Sequence, residues 1–188
     1  MSLVRVNMLD AAIGQVTDTS EVELVERAKS DPGAFALLYR GQYQSIASYV
    51  YRRTHDAHVT EDLVADVFLT ALRTLPRYRY RGVPVRFWLL RIATNAVNRW
   101  ARRRRRFVIV DSDKLAVAIA PEPSAHGAEE RRAMRAMLSL APRYQAVLAL
   151  HHFEGLSVAD VASILGCRVG TVKSRLSRAR EALRKALS

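Results

Sequence analysis

Apolar residues recur at intervals of three and four along most of this chain, the spacing that places them on one face of an α-helix. The pattern is clearest over residues 85–106, where one apolar face is formed by Leu89, Ile92, Ala93, Ala96, Val97 and Trp100. An earlier apolar stripe ends before Pro76 and consists of Leu63, Val64, Val67, Phe68, Ala71, Leu72 and Leu75. The periodicity therefore predicts an all-α fold.

Start signals for three helices lie in the first half of the chain. Ser20 and Glu23 have the spacing of a capping box, in which the hydroxyl accepts from a free amide and the carboxylate reaches back. Asp31 precedes Pro32, a residue favoured at the first helical position. Thr60 is followed by two acidic residues, which suit the positive end of a helix dipole. We expect helices to begin at these three positions.

Two short helices joined by a glycine are predicted near the end of the chain. Ser157 can cap the first of them, and Gly166 can supply its left-handed exit. The second would bury Val172, Leu176, Ala179, Leu183 and Leu187. Its other face is polar and basic, with Thr171, Ser174, Arg175 and Arg178. This is the pattern of a DNA-binding helix-turn-helix, although a plain helical hairpin in a bundle has the same periodicity.

A polar stripe runs along the 85–106 helix beside its apolar face. It consists of Arg91, Asn95, Asn98 and Arg102, and five consecutive arginines end the segment. Arg binds phosphate or guanine and Asn reads base edges, so this face suits nucleic acid. An ordinary solvated helix face is the alternative, but such faces usually mix both signs of charge.

Tyrosine and arginine alternate in the connection before this helix, residues 77–87, which reads RYRYRGVPVRF. Aromatic rings with arginines between them can stack on unpaired bases. They can equally pack a loop onto its neighbour, so both interpretations stay open. Trp88 and Trp100 are residues of a type found more often in the core than stacked on bases.

The charge distribution adds a partner class to this picture. The 188 residues carry a formal net charge of +12, which favours a polyanionic partner: nucleic acid before an acidic membrane surface or an acidic protein. Residues 21–106 hold 17 basic and eight acidic residues, and residues 128–188 hold 11 and five. Between them, residues 107–127 hold one basic residue and three acidic ones. The basic charge thus lies in two separate blocks.

The segment between the two blocks predicts the domain organisation. Residues 107–127 lack helical periodicity and contain two prolines, a serine and a glycine near their end, which is typical of a linker. We therefore predict an N-terminal tail at 1–19 and two small helical domains at 20–106 and 128–188, joined by a flexible linker. The second domain is the helix-turn-helix.

Other function classes find little support in the sequence. Cys167 is the only cysteine, so no internal disulfide forms, and it lacks a nearby histidine that would make it a nucleophile. His55 and His58, like His151 and His152, lack the partners of a metal site. We expect no enzyme activity, no cofactor and no metal. Without a signal peptide or an apolar stretch of about 18 residues, a soluble cytoplasmic protein is expected.

Several segments of the chain resemble those of a known protein family. Residues 138–187, LSLAPRYQAVLALHHFEGLSVADVASILGCRVGTVKSRLSRAREALRKAL, resemble the C-terminal DNA-binding domain of bacterial sigma factors of the extracytoplasmic-function (ECF) group. The segments TEDLVADVFLTALRTLPRY and FWLLRIATNAVNRWARRRR resemble the N-terminal domain of that family in order and spacing. The resemblance covers about residues 20–106 and 128–188, which makes it more specific than a helix-turn-helix alone.

The resemblance implies a function in transcription initiation. Such a protein binds core RNA polymerase, directs it to promoters and assists promoter melting. Its C-terminal domain reads the minus-thirty-five element as duplex DNA, and its N-terminal domain captures the unpaired minus-ten strand. An anti-sigma factor usually holds such a protein inactive. We further expect a monomer when free, without membrane insertion, that is nucleoid-associated when bound to polymerase.

Carried over by position, the resemblance assigns three sets of residues. The minus-thirty-five set is Arg168, Thr171, Lys173, Ser174, Arg175 and Arg178. The minus-ten strand set is Tyr78, Tyr80, Arg86, Trp88, Arg91, Asn95, Asn98 and Arg102. The polymerase-binding set is Glu61, Asp62 and Asp66.

The chain departs from the family pattern at a few positions. The family often has Gln where Ala65 stands in the polymerase-binding helix, and Asp where Asn98 stands on the strand-binding face. His151 replaces a common Arg. The resemblance therefore does not transfer promoter preference to this chain.

Two other functions compete with an initiation subunit. A stand-alone transcriptional regulator could use the same helix-turn-helix without stable polymerase binding, and an RNA- or membrane-surface-binding adaptor could use charge alone. The resemblance of the N-terminal domain distinguishes an initiation subunit from the stand-alone regulator, because a simple regulator has no need of that domain.

Overall fold

The computed structural model describes residues 18–110 and 127–187, and within these ranges regular structure is entirely helical. The first half contains α1 (Asp18–Ala28), α2 (Pro32–Thr54), α3 (Ala57–Thr74), a 3₁₀ turn (Leu75–Arg77) and α4 (Val85–Val110). The second half contains α5 (Ala128–Ser139), α6 (Pro142–Leu148), a π-helical segment (Ala149–Phe153), α7 (Val158–Leu165) and α8 (Val169–Leu187). The all-α prediction is confirmed.

Several local signals in the sequence are confirmed as helix boundaries. Asp31 caps α2, with its carboxylate accepting from the amide of Gly33 at 2.8 Å. Ser157 caps α7, and Asp160 completes the capping box. Gly166 ends α7 in the left-handed conformation at φ 62°. The helix-turn-helix therefore forms where the sequence predicts it.

Two predicted helix starts are wrong. The first helix begins at Asp18 instead of Ser20. The prediction failed because Asp, Thr and Ser stand side by side at 18–20 and all three residue types cap helices, so composition does not choose among them. The third helix begins at Ala57 and is capped by Asp56, whose carboxylate accepts from the amide of Val59 at 2.9 Å. Thr60 lies within this helix, and its hydroxyl donates to the Asp56 carbonyl at 2.7 Å.

The predicted linker begins later than expected. The helix that starts at Val85 runs to Val110, four residues beyond the predicted end at Arg106. Helical hydrogen bonding therefore continues through Phe107 and the β-branched residues after it, which local propensity alone disfavours. The remaining linker positions, 111–126, lie outside the described residues, as does the predicted tail at 1–17.

The predicted apolar stripe of α3 is confirmed except at one residue. Its members from Leu63 to Ala71, together with Leu75, are buried, but Leu72 is 47% exposed. Leu72 lies three residues after Leu69, which is 50% exposed, so the two share an open face of α3.

Two clusters of buried side chains hold the helices together. The smaller packs α1 against α2, the 3₁₀ turn and the start of α4, through Val25, Ala28, Ala34, Leu38, Leu75 and Val85. The larger runs without interruption from α2, α3 and α4 into α5, α6, α7 and α8. Helix α4 lies at the centre, because it packs against α2 and α3 on one side and against α6 and α7 on the other.

Candidate nucleic-acid interface

Helix α8 presents a polar, basic face outside the core. Val172, Leu176 and Ala179 are buried, as predicted, and Leu183 and Leu187 are half-buried. On the opposite side Arg168, Lys173, Ser174 and Arg178 are exposed, while Thr171 and Arg175 are half-buried. All six residues predicted to face duplex DNA therefore lie at or next to the first three turns of one helix.

The turn that carries this helix is held from several directions. The Ser157–Asp160 box fixes the start of α7, and the Gly166 amide donates back to the Ser163 carbonyl at 3.3 Å. His151 hydrogen-bonds the Leu156 carbonyl through Nδ1 at 2.7 Å, which joins the π-helical segment to the start of the hairpin. These contacts fix the orientation of α8 on its support.

The polar stripe of α4 forms as the sequence predicts. Arg91, Asn95 and Arg102 are exposed, and Asn98 is half-buried. Behind them Leu89, Ala93, Ala96 and Val97 are fully or almost fully buried. The Thr94 hydroxyl, which donates to Leu90 and hydrogen-bonds Tyr49, anchors the same part of the helix in the core.

The aromatic residues before α4 pack onto the protein. The rings of Tyr78 and Trp88 lie 4.6 Å apart between centroids, and both pack against the smaller buried cluster. Burial raises the pKa of Tyr78, and the nearby Glu21 carboxylate adds to this effect. Tyr80 is half-buried. These contacts favour loop packing over free stacking surfaces for Tyr78 and Trp88.

Arg86 is the member of the strand-binding set that the structure places apart. Its Nε donates to the Ser45 hydroxyl at 2.8 Å, and its Nη2 pairs with the Glu154 carboxylate from the second half of the chain. Arg86 is therefore engaged in protein contacts on another side of α4.

Arg175 of the predicted duplex-binding face lies across a cleft from the predicted strand-binding face. A cleft between α4 and the second half is lined by Arg91, Thr94, Asn95, Asn98, Arg143, Ala146, Ile164, Leu165 and Arg175. Among the described residues, three guanidinium groups and no carboxylate line this cleft. It therefore has a positive potential that suits an anionic backbone.

The positive charge near α8 acts on a neighbouring phenol. Arg143 lies over the Tyr144 ring, with 4.8 Å between the guanidinium carbon and the ring centroid. Hydrogen bonding from Arg143, with a smaller contribution from Arg178, holds the pKa of Tyr144 below its ordinary value. Tyr144 thus marks where α6 meets the basic face of α8.

The acidic set on α3 is exposed, and the structure adds an apolar neighbour to it. Glu61, Asp62 and Asp66 all face outward, as does Ala65 between them. Leu69 continues this surface toward the end of the helix, together with Leu72. Sequence reasoning missed these two leucines as surface residues, although Leu69 lies outside the apolar stripe and four residues after Ala65.

Comparison with known proteins assigns both halves to one family. The family model for Sigma-70 region 2 matches residues 38–107, and the model for Sigma-70 region 4 matches residues 130–183. The chain belongs to the sigma-70 family. Region 2 thus contains the polar stripe of α4, and region 4 contains the helix-turn-helix.

Two relatives match this chain over nearly their whole length. The RNA polymerase sigma-H factor of Pseudomonas aeruginosa is 35% identical over 188 residues, covering 92% of this chain and 96% of that protein. The ECF RNA polymerase sigma-E factor of Escherichia coli is 34% identical over 182 residues, covering 90% and 93%. The resemblance to the ECF group is confirmed.

A solved structure has the same arrangement of helices. The sigma factor RpoE of Bartonella quintana, in complex with the anti-sigma factor NepR, superposes with a TM-score of 0.65 at 26% identity, covering 81% of this chain and 96% of that one. CnrH, in complex with the cytosolic domain of CnrY, superposes with a TM-score of 0.63 at 24% identity and supports the fold alone.

Two features are absent from the residues that the structure describes. Within 18–110 and 127–187, no set of three or more His, Cys, Asp or Glu side chains is placed to hold a metal ion. In the same ranges, no helix has both the length and the apolar character needed to cross a bilayer.

Proposed function

We propose that this sigma-70 family member is a transcription initiation factor that binds core RNA polymerase, directs it to specific promoters and assists promoter melting. The observation that carries the proposal is the pairing of two basic helical faces, one in region 2 and one in region 4. A regulator that binds duplex DNA alone needs only the second face.

Region 4 is the duplex reader in this proposal. The polar side of α8, from Arg168 to Arg178, enters the major groove of the minus-thirty-five element, as in other helix-turn-helix proteins. Exposed Lys173 and Arg178 suit phosphate contacts, while Thr171, Ser174 and Arg175 lie close enough to the turn to read base edges. Because phosphate contacts dominate, affinity should fall steeply with salt.

Region 2 binds the separated minus-ten strand. Arg91 and Arg102 supply positive charge, and the amide side chains of Asn95 and Asn98 between them supply donors and acceptors for unpaired bases. Tyr78 and Tyr80 lie in the loop just before α4, Trp88 lies in the first turn of α4, and all three are half-buried. Arg86 joins this set only when it is released from Glu154.

The outer face of α3 docks on core polymerase. It combines three carboxylates with the apolar side chains of Leu69 and Leu72, so it offers both charge and a surface that gains from burial. Ala65 stands in the middle of this surface, where its small side chain leaves room for a partner group.

The remaining parts of the proposal follow from the family. Region 2 corresponds to a domain at 20–106 and region 4 to one at 128–188, connected through the intervening linker. The protein acts as a binding subunit without catalysis of its own, in the cytoplasm and at the nucleoid when polymerase-bound. An anti-sigma factor is the expected inhibitor, since the similar RpoE structure was solved with the anti-sigma factor NepR.

Co-elution with core RNA polymerase in gel filtration tests this proposal. The chain should shift into the polymerase peak at micromolar concentration, and Asp66→Lys should weaken the shift. Glu23→Lys is the matched control, because it reverses an exposed acid on α1 instead of α3. A chain that never co-elutes with polymerase, but still binds duplex DNA, would instead be a stand-alone regulator.

A further inference from the structure

A buried arginine near the end of α2, Arg53, lies directly behind the polar stripe of α4. We propose that Arg53 is a positioning residue: it holds the Asn98 side chain by its oxygen, so that Asn98 offers its amide hydrogens to an unpaired base. The base group that this arrangement favours is a carbonyl oxygen. The inference rests on the proposed function only in taking the stripe of α4 as the strand-binding face.

The chemistry of the guanidinium fixes the orientation of the Asn98 amide. Arg53 is 1% exposed, and its Nη2 donates to Asn98 Oδ1 at 2.7 Å and to the Pro142 carbonyl at 3.2 Å. A guanidinium carries only donors, so the Asn98 atom that faces it must be the oxygen and not the nitrogen. The amide therefore cannot turn over without losing this buried hydrogen bond.

The guanidinium is itself oriented by a directional chain of hydrogen bonds. Thr94 uses its one hydroxyl hydrogen to donate to the Leu90 carbonyl at 2.7 Å. The Tyr49 hydroxyl must then be the donor in its 2.7 Å bond with Thr94 Oγ1, which leaves the Tyr49 oxygen to accept from Arg53 Nη1 at 3.1 Å. All four residues lie in region 2, so this chain of bonds does not depend on region 4.

The nitrogen of the Asn98 amide is left for a ligand. Asn98 is half-buried and lines the cleft beside Arg91 and Asn95. Among the residues that the structure describes, no hydrogen bond occupies its Nδ2 group. Bidentate pairing with adenine would also need the oxygen, which Arg53 already holds. A carbonyl oxygen, such as O4 of thymine or uracil, needs only the free donors.

The same arginine makes the hydrogen-bond polarity of position 98 reversible by one substitution. In the described part of the chain, Arg53 donates to a phenol, an amide oxygen and a backbone carbonyl, and to no carboxylate. Asn98→Asp keeps the shape of the side chain and supplies the buried cation with a charged acceptor, so the fold should be retained. The second carboxylate oxygen would then meet the base as an acceptor. The favoured base group should change from a carbonyl oxygen to an amino group, such as N4 of cytosine.

The relative affinity for uracil and cytosine single strands tests the proposal. The full chain is titrated into labelled oligodeoxyuridine and oligodeoxycytidine strands of equal length at fixed salt, and binding is followed by fluorescence anisotropy. At C4 uracil carries a carbonyl oxygen and cytosine an amino group. Relative to the parent, Asn98→Asp should shift the affinity ratio toward cytosine by roughly fivefold, the size expected when one hydrogen bond changes sign.

The matched control for the new charge is Gln44→Glu, the same amide-to-acid change at an exposed position on α2. It should leave the ratio of the two affinities unchanged, because an added charge alone acts on both strands alike.

Two substitutions of Arg53 separate positioning from stability. Both Arg53→Lys and Arg53→Met remove the guanidinium and should lower the urea midpoint. Only Arg53→Lys keeps a donor for the Asn98 oxygen, so it should retain the parental ratio. In Arg53→Met the amide is free to turn, and the ratio should move toward that of Asn98→Asp by roughly twofold. A purely structural role would change the two affinities in parallel.

Three results would overturn the proposal: a parent chain that binds neither strand, an Asn98→Asp ratio equal to that of the parent, or equal ratios for Arg53→Lys and Arg53→Met. If circular dichroism shows that Arg53→Met does not fold, Asn98→Asp decides, since it keeps the hydrogen bond to Arg53. The measurement contains no polymerase, so a failure to co-elute with core polymerase would count against the proposed initiation role and leave this outcome unaffected.

Discussion

Arg53 donates a 2.7 Å hydrogen bond to the side-chain oxygen of Asn98, and this bond ties a fully buried guanidinium to the surface stripe of α4. The same guanidinium donates to the Tyr49 hydroxyl at 3.1 Å, and Tyr49 hydrogen-bonds Thr94 one turn before Asn98. The position of Asn98 is therefore set by a polar network inside the protein. The amide oxygen accepts this bond without adding a second buried charge.

Arg53→Ala should destabilise the protein by about 3 kcal/mol, because Asn98, Tyr49 and the Pro142 carbonyl would lose a buried donor. Urea unfolding followed by circular dichroism measures the change. Arg73→Ala, at an exposed position on α3, is the control and should change the unfolding free energy by less than about 0.5 kcal/mol. Equal effects of the two variants would contradict the network.

Arg175→Ala should weaken binding to a minus-thirty-five duplex by about 1–3 kcal/mol, the loss typical of one base-reading arginine. The effect should be smaller on a scrambled duplex, because only specific binding loses a base contact. Fluorescence anisotropy at fixed salt gives both affinities. Lys185→Ala, the control, removes the same charge near the end of α8. If it lost as much affinity as Arg175→Ala, the contribution of Arg175 would be non-specific electrostatic attraction alone.

Asn95→Ala should impair open-complex formation and leave duplex binding intact, because Asn95 lies on the α4 face assigned to the unpaired strand. Permanganate footprinting of the thymines around the minus-ten element measures the melted fraction. Gln44→Ala, an exposed amide on α2, should melt promoters like the parent protein. Normal melting by Asn95→Ala would remove Asn95 from the strand-binding set.

Leu69→Gln should leave stability within about 0.5 kcal/mol of the parent, since half of this side chain is already exposed. Its affinity for core polymerase should nevertheless fall by about 1–2 kcal/mol, because the docked face loses apolar burial. Titration of labelled protein with core polymerase provides the affinity. Leu37→Gln is the control, as Leu37 has similar exposure on α2, and equal losses would show that α3 is not the docking face.

Stability should fall as the pH decreases through about 6.5, partly because of His152. Burial, followed by the charges of His151 and Arg180, lowers the pKa of His152, so the unfolded chain takes up this proton before the folded chain does. The loss ends once the pH is below the folded pKa, and it is small because the side chain is exposed.

Urea midpoints at about pH 7.5 and about pH 5.5 test the contribution of His152. The difference between the two midpoints should be smaller for His152→Gln than for the parent protein. An unchanged difference would assign the pH dependence to other groups.

Features set by neighbouring residues could be predicted from the sequence. The Ser157 cap and the Gly166 exit depend on residues within three or four positions, so the helix-turn-helix could be located from local chemistry. The polar stripe of α4 was predictable for the same reason, because helical geometry alone brings Arg91 and Asn95 to one face.

Features set by distant residues could not be predicted. Nothing near Glu154 in sequence indicates that Arg52 and Arg86 surround it, and an acidic residue in a turn is ordinarily exposed. Likewise, apolar spacing placed Leu72 in the core, but no helix of the described chain covers that side of α3. The start of α3 was also predicted wrongly, because Asp56 and Thr60 are both residues that can begin a helix and Asp56 is the one that caps it.

The central claim, that this chain makes core polymerase promoter-specific, is tested most directly by run-off transcription with purified core polymerase on linear genomic fragments. We predict discrete transcripts that appear only when the chain is added, and whose start sites share one pair of upstream sequence elements. Transcription no different from that of core polymerase alone, under conditions where the chain binds duplex DNA, would contradict the claim.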